Sequence, residues 1–266
     1  MLVSRVVIAL LTLPSVVGCV GNAGGDLFEF EAYGKGPDDA AFGEPYRFTT
    51  GRDYQVQLDH AVLHVGALYL NRAQQTSVGS DTSCTLPGIY SAEVTTGRDL
   101  DLLSCELQPF PELGHGTGDT ARTGEVWLTG GDVYAESDPT IIFDVKGSAE
   151  KDGIAYPFSG ELTISQNRQV TPQNPALPGS KPLCKQRVVS PIAMDLSPVP
   201  GASLVLTVNP QKIFANVEFS ELERIRDDPP EYRIRDDDGD QPSLNVYNGI
   251  RASVGVYAFD WRMTSK

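Results

Sequence analysis

Tyr54-Gln55-Val56-Gln57-Leu58-Asp59-His60-Ala61-Val62-Leu63-His64-Val65-Gly66-Ala67-Leu68-Tyr69-Leu70 is the longest apolar-rich run in the chain, and it admits two readings. As a strand it places Val56, Leu58, Val62, Leu68 and Leu70 on one face. As a helix it gathers Leu58, Ala61, Val62, Val65 and Tyr69. The β-branched Val56, Val62 and Val65 and the glycine at 66 disfavour a helix interior, so strand is expected. The choice also decides chemistry. On a strand His60 and His64 share a face but stand about 13 Å apart, too far to hold one metal together. On a helix the same spacing would set them one turn apart, as in metal sites.

Outward from this run the period of two recurs. Ile141, Phe143 and Val145 alternate with Ile142, Asp144 and Lys146; Tyr156, Phe158, Leu162 and Ile164 oppose Ser159, Glu161, Thr163 and Ser165; Leu204, Leu206 and Val208 oppose Ser203, Val205 and Thr207. Half-buried strands have this pattern. Further strands are expected at 46–50, 88–96, 100–104, 124–129, 187–196 and 254–261, residues 26–33 read as an acidic strand or tether, and a loop is expected at 35–44, with 19 prolines and 26 glycines as punctuation. Helix is allowed only at 211–214, 218–226 and 243–252. With no βαβ rhythm, the fold class is all-β, an antiparallel β-sandwich with few short helices. The four prolines within residues 166–183 mark a long connector and the place for any subdivision of the body.

The first 18 residues have the layout of a secretory signal: one basic residue, Arg5, an apolar run from Val6 to Leu11 and on through Leu13, then small residues. The run is far shorter than the roughly 20 residues a bilayer-spanning helix needs. Val16-Val17-Gly18-Cys19 resembles the lipobox of bacterial lipoproteins, with valine where that family more often has leucine. The resemblance implies diacylglycerol on the Cys19 thiol, cleavage before Cys19 and acylation of the new amino group. Val20 is not an aspartate, which in the enteric pattern implies passage to the outer membrane. Residues 19–45 then comprise the lipidated cysteine and a tether with glycines at 21, 24 and 25, and residues 46–266 form the β-sandwich.

Removing 18 of 266 residues leaves 248, enough for a substantial core. Loss of Arg5 leaves 20 basic against 35 acidic residues. That acidic balance argues against nucleic acid and against a polybasic grip on anionic lipid. With Cys19 lipidated, Cys84, Cys105 and Cys184 remain, so one disulfide and one spare thiol are expected in an oxidising compartment. Cys84 with Cys184 is favoured by their matching Pro-bearing contexts; Cys84 with Cys105 stays open.

No reaction motif appears: Gly-x-Ser-x-Gly and His-Glu-x-x-His are both absent. The glycine-rich residues 113–119 lack the lysine of a phosphate-binding loop and are read as a surface loop, in which His115 and Asp119 are the residues to test first. Asp236-Asp237-Asp238-Gly239-Asp240 resembles calcium loops, without the glutamate that closes an EF-hand. Asp236, Asp238 and Asp240, with His115, are the candidate metal ligands and calcium the candidate cofactor; Asp227 and Asp228 lie close in sequence. Tyr247, Tyr257, Phe259 and Trp261 suit a core or a carbohydrate face, core being the default. The expected partners are the membrane, through the anchor, and an envelope protein or glycan.

Overall fold

The structure, a computed structural model, describes residues 27–73, 89–166, 168, 183–237 and 239–263. In chain order the first strands are β1 (Leu27–Phe30), β2 (Ala32–Lys35), β3 (Tyr46–Thr49), β4 (Gln55–Val65), β5 (Ala67–Asn71), β6 (Tyr90–Val94), β7 (Arg98–Asp101) and β8 (Gln108–Pro109). β9 (Gly114–Thr117), β10 (Ala121–Trp127), β11 (Ile141–Lys151) and β12 (Ile154–Thr163) precede the short helix α1 (Leu183–Gln186). After it come β13 (Val188–Leu196), β14 (Ser203–Val208), α2 (Pro210–Ile213), β15 (Glu223–Asp227), β16 (Pro230–Arg233), α3 (Gln241–Ile250) and β17 (Tyr257–Arg262).

These elements make an all-β sandwich with short helices. One sheet runs β1-β9-β6-β5-β10-β13, antiparallel throughout. A second runs β15-β16-β12-β11-β4-β3, with β7 also on β4, and a third runs β17-β14-β2-β8. Two pairings depart from the antiparallel expectation: β12 with β16 and β14 with β2 are parallel. β14 lies between β17 and β2 with Leu204, Val205 and Leu206 all buried, so its two faces are both covered.

The 54–70 run is strand, and it serves two sheets. β4 belongs to the second and β5 to the first, with Gly66 between them. Gly66 N–H donates to Trp127 O at 2.8 Å, and a Cβ at this position would lie 2.0 Å from Thr129 O. Only glycine lets the backbone come that close, which is how one chain segment turns the corner between sheets. The expected face changes along β4. A register shift against β11 falls between Leu58 and His60, so the buried set passes from Val56 and Leu58 to Ala61, Leu63 and Val65. Val62 therefore sits on the outward side with His60 and His64, a correction that follows from the one extra residue of a β-bulge. Gly147 opposite makes this possible, since its Cβ would stand 2.3 Å from Gln57 O.

Three other expectations change. Residues 27–35 do not belong to a tether: β1 and β2 pair with β9 and β14 and bury Phe30 and Ala32, because their apolar side chains have core to fill. Residues 113–119 are not a loop: β9 lies between β1 and β6. A Cβ on Gly114 would meet the Phe30 ring at 2.4 Å, so its glycine marks close packing and not flexibility. Residues 218–226 form one 3-10 turn, Phe219–Glu221, followed by β15, in place of a helix.

One core cluster joins residues from both sides of the connector, among them Leu58, Phe143, Val189, Leu206 and Tyr247. Phe214, following α2, is fully buried against Phe48, Phe143, Phe158 and Phe219, with ring centroids 5.8–6.2 Å away. Phe28 and Phe30 of β1 meet Trp261 of β17 at 6.1 and 5.0 Å, locking the first sheet to the third.

The turn before β11 is held by Asp138. Its carboxylate accepts from Thr129 Oγ1 at 2.8 Å, Gly130 N at 2.9 Å and Thr140 N at 3.0 Å. Burial by itself would raise this acid, but the hydrogen bonds from Thr140, Gly130 and Thr129 outweigh it and hold the carboxyl down to about 2. A depressed folded value means the stabilisation is complete above about pH 4 and disappears as pH falls toward 2. Asp138→Asn is expected to lose about 1–2 kcal/mol at pH 7, a figure kept low by partial solvent screening, and to flatten the acid limb of stability. Urea midpoints between pH 2 and 7 that track wild type would refute this.

Candidate functional site

The outward face of the first sheet carries a row of polar and aromatic side chains set by strand register. Glu29 stands opposite His115, His115 opposite Glu93, Glu93 opposite Tyr69, and Tyr69 opposite Glu125, across β1, β9, β6, β5 and β10. Cross-strand neighbours share a face, so five strands contribute to one surface. The opposite face holds Leu68, Leu70, Ala92 and Val126, all in the core.

At the middle of the row three rings meet at tilted angles. Tyr69 has Tyr90 at 4.8 Å and Trp127 at 4.7 Å between centroids. Glu125, only 1% exposed, accepts from Asn71 Nδ2 at 3.2 Å and from Trp127 Nε1 at 3.0 Å. That carboxylate fixes the indole. Burial, and then the Glu125 charge, push the Tyr90 hydroxyl up to about 12, so it stays protonated and able to donate. Tyr69 is raised as well, by burial first and then by Glu93 and Glu125. At the end of the row His115 Nδ1 is 4.0 Å from Glu29, both well exposed. Aromatic faces flanked by carboxylates suit a ligand with apolar patches and hydroxyl or amine donors.

The histidines do not converge. His60 Nε2 pairs with Asp144 at 2.9 Å and His64 Nδ1 with Asp99 at 2.6 Å, each with its own carboxylate on a neighbouring strand. Asp119 accepts from Thr117 Oγ1 at 2.9 Å and pairs with Arg72 at 3.4 Å, whereas His115 faces Glu29 and Glu93. Among the described residues no group of three or more His, Cys, Asp or Glu is placed to hold a metal ion.

The acidic run is divided among structural partners. Asp236 accepts from Thr163 N and Oγ1, both at 2.7 Å, and pairs with Arg168. Asp237 is bidentate on Arg235, which together with the Gly239 N–H holds its carboxyl below the usual range. Asp240 caps α3 by accepting from Ser243 N at 2.6 Å. Asp238 lies outside the described residues. Cys184 is disulfide-bonded and Cys105 is free, so the Cys84 with Cys105 alternative falls. Cys84 lies outside the described residues, as does Cys19. Tyr247 on α3 and Tyr257, Phe259 and Trp261 on β17 are buried in the core and present no carbohydrate face.

The Tyr69, Tyr90, Glu125 and Trp127 cluster was missed as a site by sequence reasoning. Its signal was Glu125 and Trp127 at alternate positions, set against the apolar Val126 and Leu128. That alternation shows a shared face, but nothing in it says that Tyr69 and Tyr90 are the neighbours.

No family model matches the chain, and no curated protein matches it. Among solved structures, MbnP from Methylosinus trichosporium is similar over 73% of this chain and 79% of its own, at 10% identity and a TM-score of 0.33. A likeness of that degree supports no argument about fold or function.

Proposed function

We propose that this chain is a lipid-anchored protein of the cell envelope, carried to the outer membrane, whose β-sandwich acts as a binding module for an envelope protein or glycan. The observation that carries the reading is Val16-Val17-Gly18-Cys19 after a short apolar run, in a chain with 35 acidic residues. Several acyl chains, at about 0.8 kcal/mol per buried methylene, would hold such a protein on a membrane without a spanning helix. No helix among the described residues is long and apolar enough to cross a membrane. The face built on Tyr69, Tyr90 and Trp127 is the surface we assign to the partner.

A single set of variants tests both halves. In cells fed radiolabelled fatty acid, the wild type is expected to carry label and Cys19→Ala none; unlabelled wild type, or labelled Cys19→Ala, would end the anchor reading. In envelope-wide crosslinking from the lipidated, tagged chain, Trp127→Ala is expected to lose the wild-type partner while Ile154→Ala, at an exposed site on β12, keeps it. Identical crosslinks from all three proteins would remove the aromatic face from the account.

A further inference from the structure

Residues 162–194 contain Arg168, Lys181, Lys185 and Arg187 but no aspartate or glutamate, in a chain with a net charge of −14. The fold takes two of these cations inside. The Arg168 side chain is 1% exposed and Arg187 is 0% exposed. Arg251 joins them: Arg168 lies 4.2 Å and Arg251 5.1 Å from the centroid of the Tyr247 ring. Tyr247 OH donates to Gln186 Oε1, and Gln186 O accepts from Arg251 Nε, both at 2.7 Å.

Charge in this cluster does not balance. Asp236 on Arg168 is the one carboxylate that pairs with any of the three arginines among the described residues. Asp237 also attracts Arg168 through space, but its hydrogen bonds go to Arg235. Arg187 is held by neutral acceptors, Ile164 O at 3.1 Å, Val133 O at 3.0 Å and Ala135 O at 2.7 Å. Carbonyls and a tyrosine ring lower the cost of burying guanidinium groups without neutralising them. Among the described residues three donors remain buried with no acceptor: Arg168 Nε and Nη1, and Arg187 Nη2. Guanidinium groups stay protonated in proteins, so loss of the charge does not resolve the imbalance.

We propose that Arg168, Arg187 and Arg251 form a binding site for a small oxyanion of the phosphate and sulfate class. Guanidinium forks match the oxygen spacing of such ions, and unfilled donors on two separate arginines give it more than one point of attachment. The depth of the side chains favours a free ion. Burial, then the neighbouring Arg168, depress the Arg251 guanidinium, in keeping with cations crowded together. The inference deepens the binding-module reading by adding a ligand class, and it does not depend on the lipid anchor.

The test is thermal unfolding and titration calorimetry of the full chain in detergent, with inorganic phosphate or sulfate at constant ionic strength set by chloride. Unfolding temperature is expected to rise steadily with the logarithm of phosphate concentration, with measurable binding heat. Arg251→Gln is expected to weaken phosphate at least tenfold while unfolding cooperatively. Arg168→Lys, which keeps the charge and loses the fork, provides the same reading should the first variant fail to fold. Glycerol phosphate separates the sources: a weaker response assigns the free ion, and an equal response assigns a phosphomonoester headgroup. Phosphate and sulfate acting no differently from chloride, or both variants responding as wild type does, would overturn the proposal. Lipid labelling is unaffected by either result.

Discussion

Gly66→Ala is expected to lose about 3 kcal/mol or more of folding stability, lowering the melting temperature by roughly 6–12 °C for a chain of this size. The new methyl group would sit 2.0 Å from Thr129 O, and that oxygen is backbone, so relief requires moving the segment that follows β10. The same segment holds the Asp138 turn and directly follows Trp127, whose carbonyl accepts from Gly66 at the end of β10, which ties the movement to both sheets. Gly131→Ala is the control, because no atom lies within 4 Å of its would-be Cβ; it should stay within about 0.5 kcal/mol of wild type. Urea midpoints decide the matter. Equal losses from the two alanines would mean that helix and strand propensity, not the corner, sets the effect.

Phe214→Ala is the second large effect, expected at about 3–5 kcal/mol. The ring is wholly buried, and it touches Phe48 of β3, Phe143 of β11 and Phe158 of β12, besides Phe219. Truncation leaves a cavity bordered by three strands of one sheet, which cannot all close on it together. Phe214→Leu fills most of the volume and should lose much less. A loss under about 1 kcal/mol for the alanine variant would show that α2 collapses into the space.

The elements most legible in the sequence are those whose two faces differ. Phe143 and Val145 against Asp144 and Lys146 announce β11 because burial on one side and solvent on the other impose a period of two. The reading weakens where one face meets something other than solvent. β9 passed as a loop because Gly114 and Gly116 carry no side chain to alternate, and the Phe30 ring that requires Gly114 is more than eighty residues away. Val62 was placed on the wrong side because a one-residue bulge leaves no mark in composition.

The candidate sites divide along the same line. His60, His64, Asp236 and Asp240 stand out as residue types in suggestive local spacings, and each has a separate structural partner in place of a shared ligand. The residues that do gather, Glu29, His115, Glu93, Tyr69 and Glu125 on one face and Arg168 and Arg251 around Tyr247 inside, come from distant parts of the chain.

By itself, then, the sequence determined a strand-rich body, since alternation is a local consequence of the backbone's period. Tertiary structure alone decided which strands pair, in what register and with which two parallel exceptions. Pairing order is set by the total burial a topology achieves, and no short window of residues contains that sum. It is the same order that sets Tyr69 against Trp127 and brings two arginines over one tyrosine.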